Sequence, residues 1–159
     1  MGSVIIGIDT DVLVHWAMTG AVHHRAVRQW FEREIGKRHR FGLTQQVLYE
    51  FVHVASDPRR FERPLSMEQA VHVSLELWNG KEVHQILPTA KVYDRTCELI
   101  KRFELGRKRI LDTALAATLE AADVRRLATL NPGDFEIFPF LETVNPTLRP
   151  PQKAEARTG

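Results

Sequence analysis

The sequence predicts an α/β fold, a three-layer α/β/α arrangement with a short, mostly parallel central sheet. Three observations predict it. Residues 4–8 form a short, β-branched apolar run that ends in Asp9, the pattern of a strand covered on both faces. Strand-like runs alternate with helical patterns along the chain, as a parallel sheet with crossover helices requires. Helical stretches, not hairpin turns, separate most of the predicted strands.

The elements follow in order. Gly7 in the first strand marks a close approach of a neighbour. Thr10 or Asp11 is positioned to cap a helix containing Val12, Leu13 and Trp16, which Gly20 interrupts or ends. A second helix over about 22–35 has Ala26, Val27, Trp30 and Phe31 as its apolar stripe. Phe41-Gly42-Leu43 reads as a strand, and Thr44 as the N-cap of a helix over 45–55 that Asp57-Pro58 stops. Ser66, with Gln69 three residues on, has the capping-box pattern for a helix running to Asn79-Gly80. Residues 83–87 read as a short edge strand or extended connector. A helix over about 89–104 is expected to end at Gly106. The Ala- and Leu-rich segment 110–122 is a strong helix, with Asp112 in its first turn. Residues 124–129 read as a strand, and 136–140, or the apolar 141–144, as another.

Composition bounds the function. A chain of 159 residues, 43% hydrophobic and 26% charged, is expected to form one domain with a real core. The expected boundaries are residues 1–145 for that domain and 146–159 for a Pro-containing, disordered tail. The single cysteine, Cys97, excludes an internal disulfide and reads as a small core residue. No apolar run is long enough for a membrane span, and the N-terminus lacks signal-peptide features, so a cytoplasmic protein is expected. The net charge is +2. Arg149, Lys153 and Arg157 against Glu155 put that excess in the tail, leaving the body close to neutral. Any nucleic-acid surface must therefore come from local clusters: Lys37-Arg38-His39-Arg40, Arg59-Arg60 with Arg63, or Arg107-Lys108-Arg109.

Acids stand where a parallel α/β fold builds its sites, beyond the carboxyl ends of strands. Asp9 follows the first strand. Glu50 lies on or beside the apolar face of its helix. Asp112 opens a helix, and Asn131 and Asp134 follow a late strand. Grouped acids repel, and a hard divalent cation such as Mg²⁺ or Mn²⁺ would relieve that repulsion. Each acid also has a plain structural reading. Asp9 is placed to cap a helix, Asp112 to face a helix dipole, Glu50 to face water and Asp134 to sit in a turn. The seven histidines are scattered and offer no rival site; only His53, three residues after Glu50, could share its face.

Four motifs in order carry a resemblance. They are Ile6-Gly7-Ile8-Asp9-Thr10-Asp11, Leu43-Thr44-Gln45-Gln46-Val47-Leu48-Tyr49-Glu50, Ile110-Leu111-Asp112-Thr113-Ala114 and Leu127-Ala128-Thr129-Leu130-Asn131-Pro132-Gly133-Asp134-Phe135. Together they resemble the PIN-domain ribonucleases, in particular the toxins of VapBC-type toxin–antitoxin systems. That resemblance implies a PIN-like fold and a Mg²⁺- or Mn²⁺-dependent endoribonuclease acting on structured RNA such as tRNA or rRNA. It implies Asp9, Glu50, Asp112, Asn131 and Asp134 as catalytic residues. Asp9 and Asp112 would be metal ligands, with Glu50 and either Asn131 or Asp134 joining directly or through water. It further implies a homodimer held inactive by a cognate antitoxin. Arg59, Arg60 and Arg109 would then be RNA contacts. Where the family often has an acid, this chain has the neutral Asn131.

Two other readings compete. The neutral Asn131 and near-neutral body are compatible with a catalytically inactive binding module of the same fold. The opening Asp9-Thr10-Asp11 also resembles haloacid-dehalogenase-like phosphatases, in which Asp9 would be the nucleophile and Asp11 an acid/base. That reading needs a later acidic pair, and the 129–134 region has a single Asp.

Overall fold

A computed structural model describes residues 2–149 of the chain. The elements are β1 (Ile5–Ile8), α1 (Thr10–Ala17), α2 (His24–Gly36), β2 (Arg40–Thr44), α3 (Gln45–Ala55) and α4 (Met67–Trp78). They continue with β3 (Val83–Ile86), α5 (Ala90–Arg102), α6 (Ile110–Ala121), β4 (Arg126–Ala128) and β5 (Glu142–Val144). The five strands form one sheet in the order β3-β2-β1-β4-β5, and all four pairings are parallel. The order reverses between β1 and β4: the chain winds outward from β1 to β3, then crosses back to β4 and β5. Helices α1–α4 pack on one another and α5 packs on α6, which gives the expected three layers. The crevice at the reversal is where open α/β sheets place their sites.

The central strands are buried because both faces are covered. Ile6, Ile8, Phe41, Leu43, Ile86 and Leu127 are nearly inaccessible. Gly7 is required by packing: a Cβ there would stand 2.9 Å from Leu119 Cδ1 and 3.3 Å from the Arg126 carbonyl oxygen. Helix caps follow the sequence where side chains decide them. The Val47 N–H donates to Thr44 Oγ1, and Ser66 and Gln69 close a complete capping box. Among the described residues, no helix is long and apolar enough to cross a membrane.

Several local expectations are corrected. The N-cap of α1 is Asp9, not Thr10 or Asp11, and the helix ends at Ala17, before Gly20. Helix α2 starts two residues later than expected, at His24. Helix α5 ends at Arg102, and Gly106 is not its cap. Glu104 takes the left-handed conformation (φ 52°), and the Leu105 N–H reaches back to the Ile100 carbonyl. This is a Schellman ending made without glycine. Residues 136–140 are not a strand. Phe135 and Phe138 are both buried, a spacing of three that suits turns rather than alternation, and β5 begins at Glu142. Residues 146–149 continue from a turn in which Asn145 Oδ1 accepts from the Thr147 N–H. The rest of the expected disordered tail lies outside the described residues.

Candidate active site

Asp9 follows β1, the central strand, and its N–H donates to the Ala128 carbonyl, carrying the β1–β4 ladder one residue further. Its side chain is fixed from both sides. Oδ1 accepts from the Thr10 N–H at 2.8 Å, and Oδ2 accepts from Thr129 Oγ1 at 2.8 Å. The Thr129 hydroxyl in turn accepts from the Asn131 N–H, which aims its own proton at Asp9. Burial first and the Asp11 charge second push the Asp9 carboxyl up to about 7, against the bonds from Thr129 and Thr10.

Glu50 is turned inward rather than to water. Thr10 Oγ1 donates to its Oε2 at 3.1 Å, and Gln46 Nε2 donates to its Oε1 at 3.1 Å. The same Gln46 amide donates to the Leu111 carbonyl at 2.9 Å. One side chain thus ties α3 to the first turn of α6, where Asp112 sits. Burial raises Asp112 to about 6, and the charges of Asp9 and Asp134 add to it, while Arg109 opposes them. Asp9, Glu50 and Asp112 come from three distant segments and share one electrostatic environment.

The loop after β4 is more specific in its contacts. Asn131 Nδ2 donates to Asp11 Oδ2 at 2.9 Å, and the Leu130 N–H donates to the same oxygen at 3.3 Å. Asp134 is exposed on a short 3-10 turn, Pro132–Asp134. Its carbonyl accepts from the Arg109 guanidinium. Sequence reasoning passed over Asp11, Thr10, Gln46 and Thr129 as members of this site. Gln46 carried a usable signal, since it stands one helical turn before Glu50. Thr129 carried none, because only the tertiary fold brings it to Asp9. His53 is exposed and takes no part. Arg59 and Arg60 turn onto Asp57, at 3.2 and 3.8 Å.

Among the described residues, no group of three or more His, Cys, Asp or Glu side chains is closed around a point that could hold a metal ion. The donor chemistry nonetheless fits a hard cation. The converging groups are carboxylates, which such ions prefer. Burial and the charges of neighbouring acids raise Asp9 to about 7 and Asp11 and Asp112 to about 6. Asp11 Oδ1 is buried without any hydrogen-bond partner. A cation would resolve all three features at once.

The family described as "PIN domain" matches residues 6–140. Ribonuclease VapC24 of Mycobacterium tuberculosis is 26% identical over 142 residues, covering 89% of this chain and 97% of that protein. Ribonuclease VapC33 of the same species is 24% identical over 109 residues, covering 69% and 76%. Among solved structures, the fold is shared with VapBC-1 from nontypeable Haemophilus influenzae, at a TM-score of 0.63 and 14% identity over 91% of this chain and 99% of that one. It is also shared with M. tuberculosis VapC20, described as a Sarcin-Ricin loop cleaving toxin, at a TM-score of 0.60 and 16% identity over 77% and 86%.

Proposed function

The chain belongs to the PIN-domain family and is related to VapC-type toxins, and from that premise we propose that it is a metal-dependent endoribonuclease toxin, restrained by a cognate antitoxin. One observation carries the reading. Three carboxylates, Asp9, Glu50 and Asp112, are drawn from separate segments to the sheet's reversal point, where burial and mutual repulsion raise Asp9 and Asp112 although Arg109 stands beside Asp112. Structural acids are normally paired when buried.

Asp9, Asp112 and Glu50 would hold Mg²⁺ or Mn²⁺, with Asp134 or Asn131 joining through water. When bound, such a cation supplies charge neutralisation at a phosphoryl oxygen and acidifies water for attack at phosphorus. The chain's own groups prepare the rest. Thr129 and the Thr10 N–H fix the Asp9 carboxylate. Thr10 and Gln46 hold Glu50 between α1 and α6. Arg109 stands by Asp112 and Asp134, where a guanidinium can meet a phosphate oxygen. The same reading makes structured RNA the substrate, residues 1–145 the nuclease domain, the segment from Pro146 an arm beyond it, and a cytoplasmic homodimer the working form.

The test is cleavage of total host RNA by antitoxin-free protein with Mn²⁺, read by end-mapping beside Asp9→Asn. Discrete new ends with wild type and none with Asp9→Asn support the proposal. No cleavage by the metal-loaded wild type would leave the inactive binding module as the better reading.

A further inference from the structure

We propose that Asp11 supplies the negative charge on the β4 side of the acidic cleft, and that Asn131 is the amide that holds it there. The inference rests on the cation-dependent reading above and names a residue that reading does not use.

The two side chains lie 120 positions apart in the chain and meet at 2.9 Å. Asn131 Nδ2 and the Leu130 N–H both donate to Asp11 Oδ2, so the loop after β4 claims one carboxylate oxygen. The other, Oδ1, is buried and makes no hydrogen bond of good geometry, the nearby Val12 N–H being the one further donor that acts on the carboxyl. A carboxylate oxygen removed from water without a donor is destabilising unless something else meets it. Asp11 is also tied to the site by geometry: the N–H of its partner Asn131 donates to Thr129 Oγ1, which donates to Asp9 Oδ2.

A simple helix-dipole role does not account for this arrangement. An acid in the first turn of α1 gains from the helix N-terminus while facing water. It needs no amide drawn across from β4, and it keeps no oxygen buried. The neutral residue at 131 acquires a reason as well. An aspartate there would set a carboxylate oxygen against Asp11 Oδ2 at hydrogen-bond distance, and two carboxylates so placed do not both ionise. Positions 11 and 131 therefore hold one charge and one amide between them, and the charge sits at 11.

A side-chain exchange tests this. Wild type, Asp11→Asn, Asn131→Asp, the double exchange and Asp9→Asn are prepared as full-length, antitoxin-free protein. Mn²⁺ affinity is measured by titration calorimetry and folding by thermal melting. Asp11→Asn is expected to weaken Mn²⁺ binding about 10- to 100-fold, the range for groups that support a metal site. The double exchange, which returns one charge and one amide to the pair, is expected to recover most of that loss. Should Asp11→Asn not fold, the double exchange carries the test: fold with restored Mn²⁺ affinity supports the inference, and fold without it overturns it. If wild type binds Mn²⁺, Asp9→Asn does not and Asp11→Asn still does, this inference falls and the nuclease reading stands. A wild type that takes up no Mn²⁺ overturns both.

Discussion

Asp57 and Asp9 both lie just beyond the end of a regular element, and their carboxyls move in opposite directions. At Asp57 the Arg59 N–H and side chain, joined by Arg60, hold the carboxyl below its usual range. Glu34, buried at the end of α2, also has close partners: Lys37 Nζ stands 3.1 Å from one oxygen and His39 Nδ1 2.8 Å from the other. At Asp9 the partners are neutral donors, the neighbours are other acids, and the carboxyl rises to about 7. The difference separates two electrostatic settings for an acid in this molecule, and the second is the one proposed to work. Asp57 and Glu34 each have basic side chains of their own segment beside them. Asp9 and Glu50 are oriented by hydroxyls and amides, with no cation among those hydrogen-bond partners.

The largest test of that contrast is Asp9→Asn. Cleavage is expected to fall about 10³-fold, the scale of losing one preorganised electrostatic group. In the same variant, the cation-free melting temperature at pH 8 is expected to rise by several degrees, because a repelled charge is gone. A stable variant that cleaves RNA normally would erase the distinction. Next is Gln46→Ala, which leaves the acids in place but unties α3 from α6. A loss of about 10-fold in kcat is expected, in the range for groups that orient a site, and an unchanged kcat would make Gln46 a bystander.

The pH dependence sharpens the comparison further. Asp9 titrates near 7 in the fold against a usual 3.8, so between those values the folded state binds more protons than the unfolded chain. Stability of the cation-free protein is therefore expected to fall as pH rises from 3.8 toward 7, with Asp11 and Asp112 adding to the fall below about 6. Mn²⁺ should flatten that slope, and melting curves across the pH range would show it. Asp57 runs the other way. Its contribution is present above its usual value and is lost as pH falls through its lowered one. The smallest effect is expected from Asp57→Asn: a few degrees lost in melting temperature at neutral pH and cleavage unchanged. Altered cleavage in that variant would tie the Arg59–Arg60 turn to the site after all.

The sequence made some of this legible and concealed the rest for physical reasons. Thr44, Ser66 and Gln69 announced their helix starts because capping is a contact across three residues. Gly106 misled because any residue can take a left-handed helix end at modest strain, and Glu104 does so here. The stretch 136–140 misled because its apolar residues suit a buried turn as readily as a strand. Asp9, Glu50 and Asp112 could be nominated from position and motif, while Asp11 was read only as a helix cap or a phosphatase acid.

By itself, the sequence determined the α/β class, the order of elements, most of the caps and which acids stand at element ends. These follow from periodicity and contacts a few residues long. Only the tertiary structure decided which acids share one enclosure. Thr10 meets Glu50 across 40 positions, Thr129 meets Asp9 across 120, and Asn131 meets Asp11 across 120. Desolvation and repulsion depend on that convergence. The same residue type is therefore an acid held below its usual range at 57 and one pushed above it at 9.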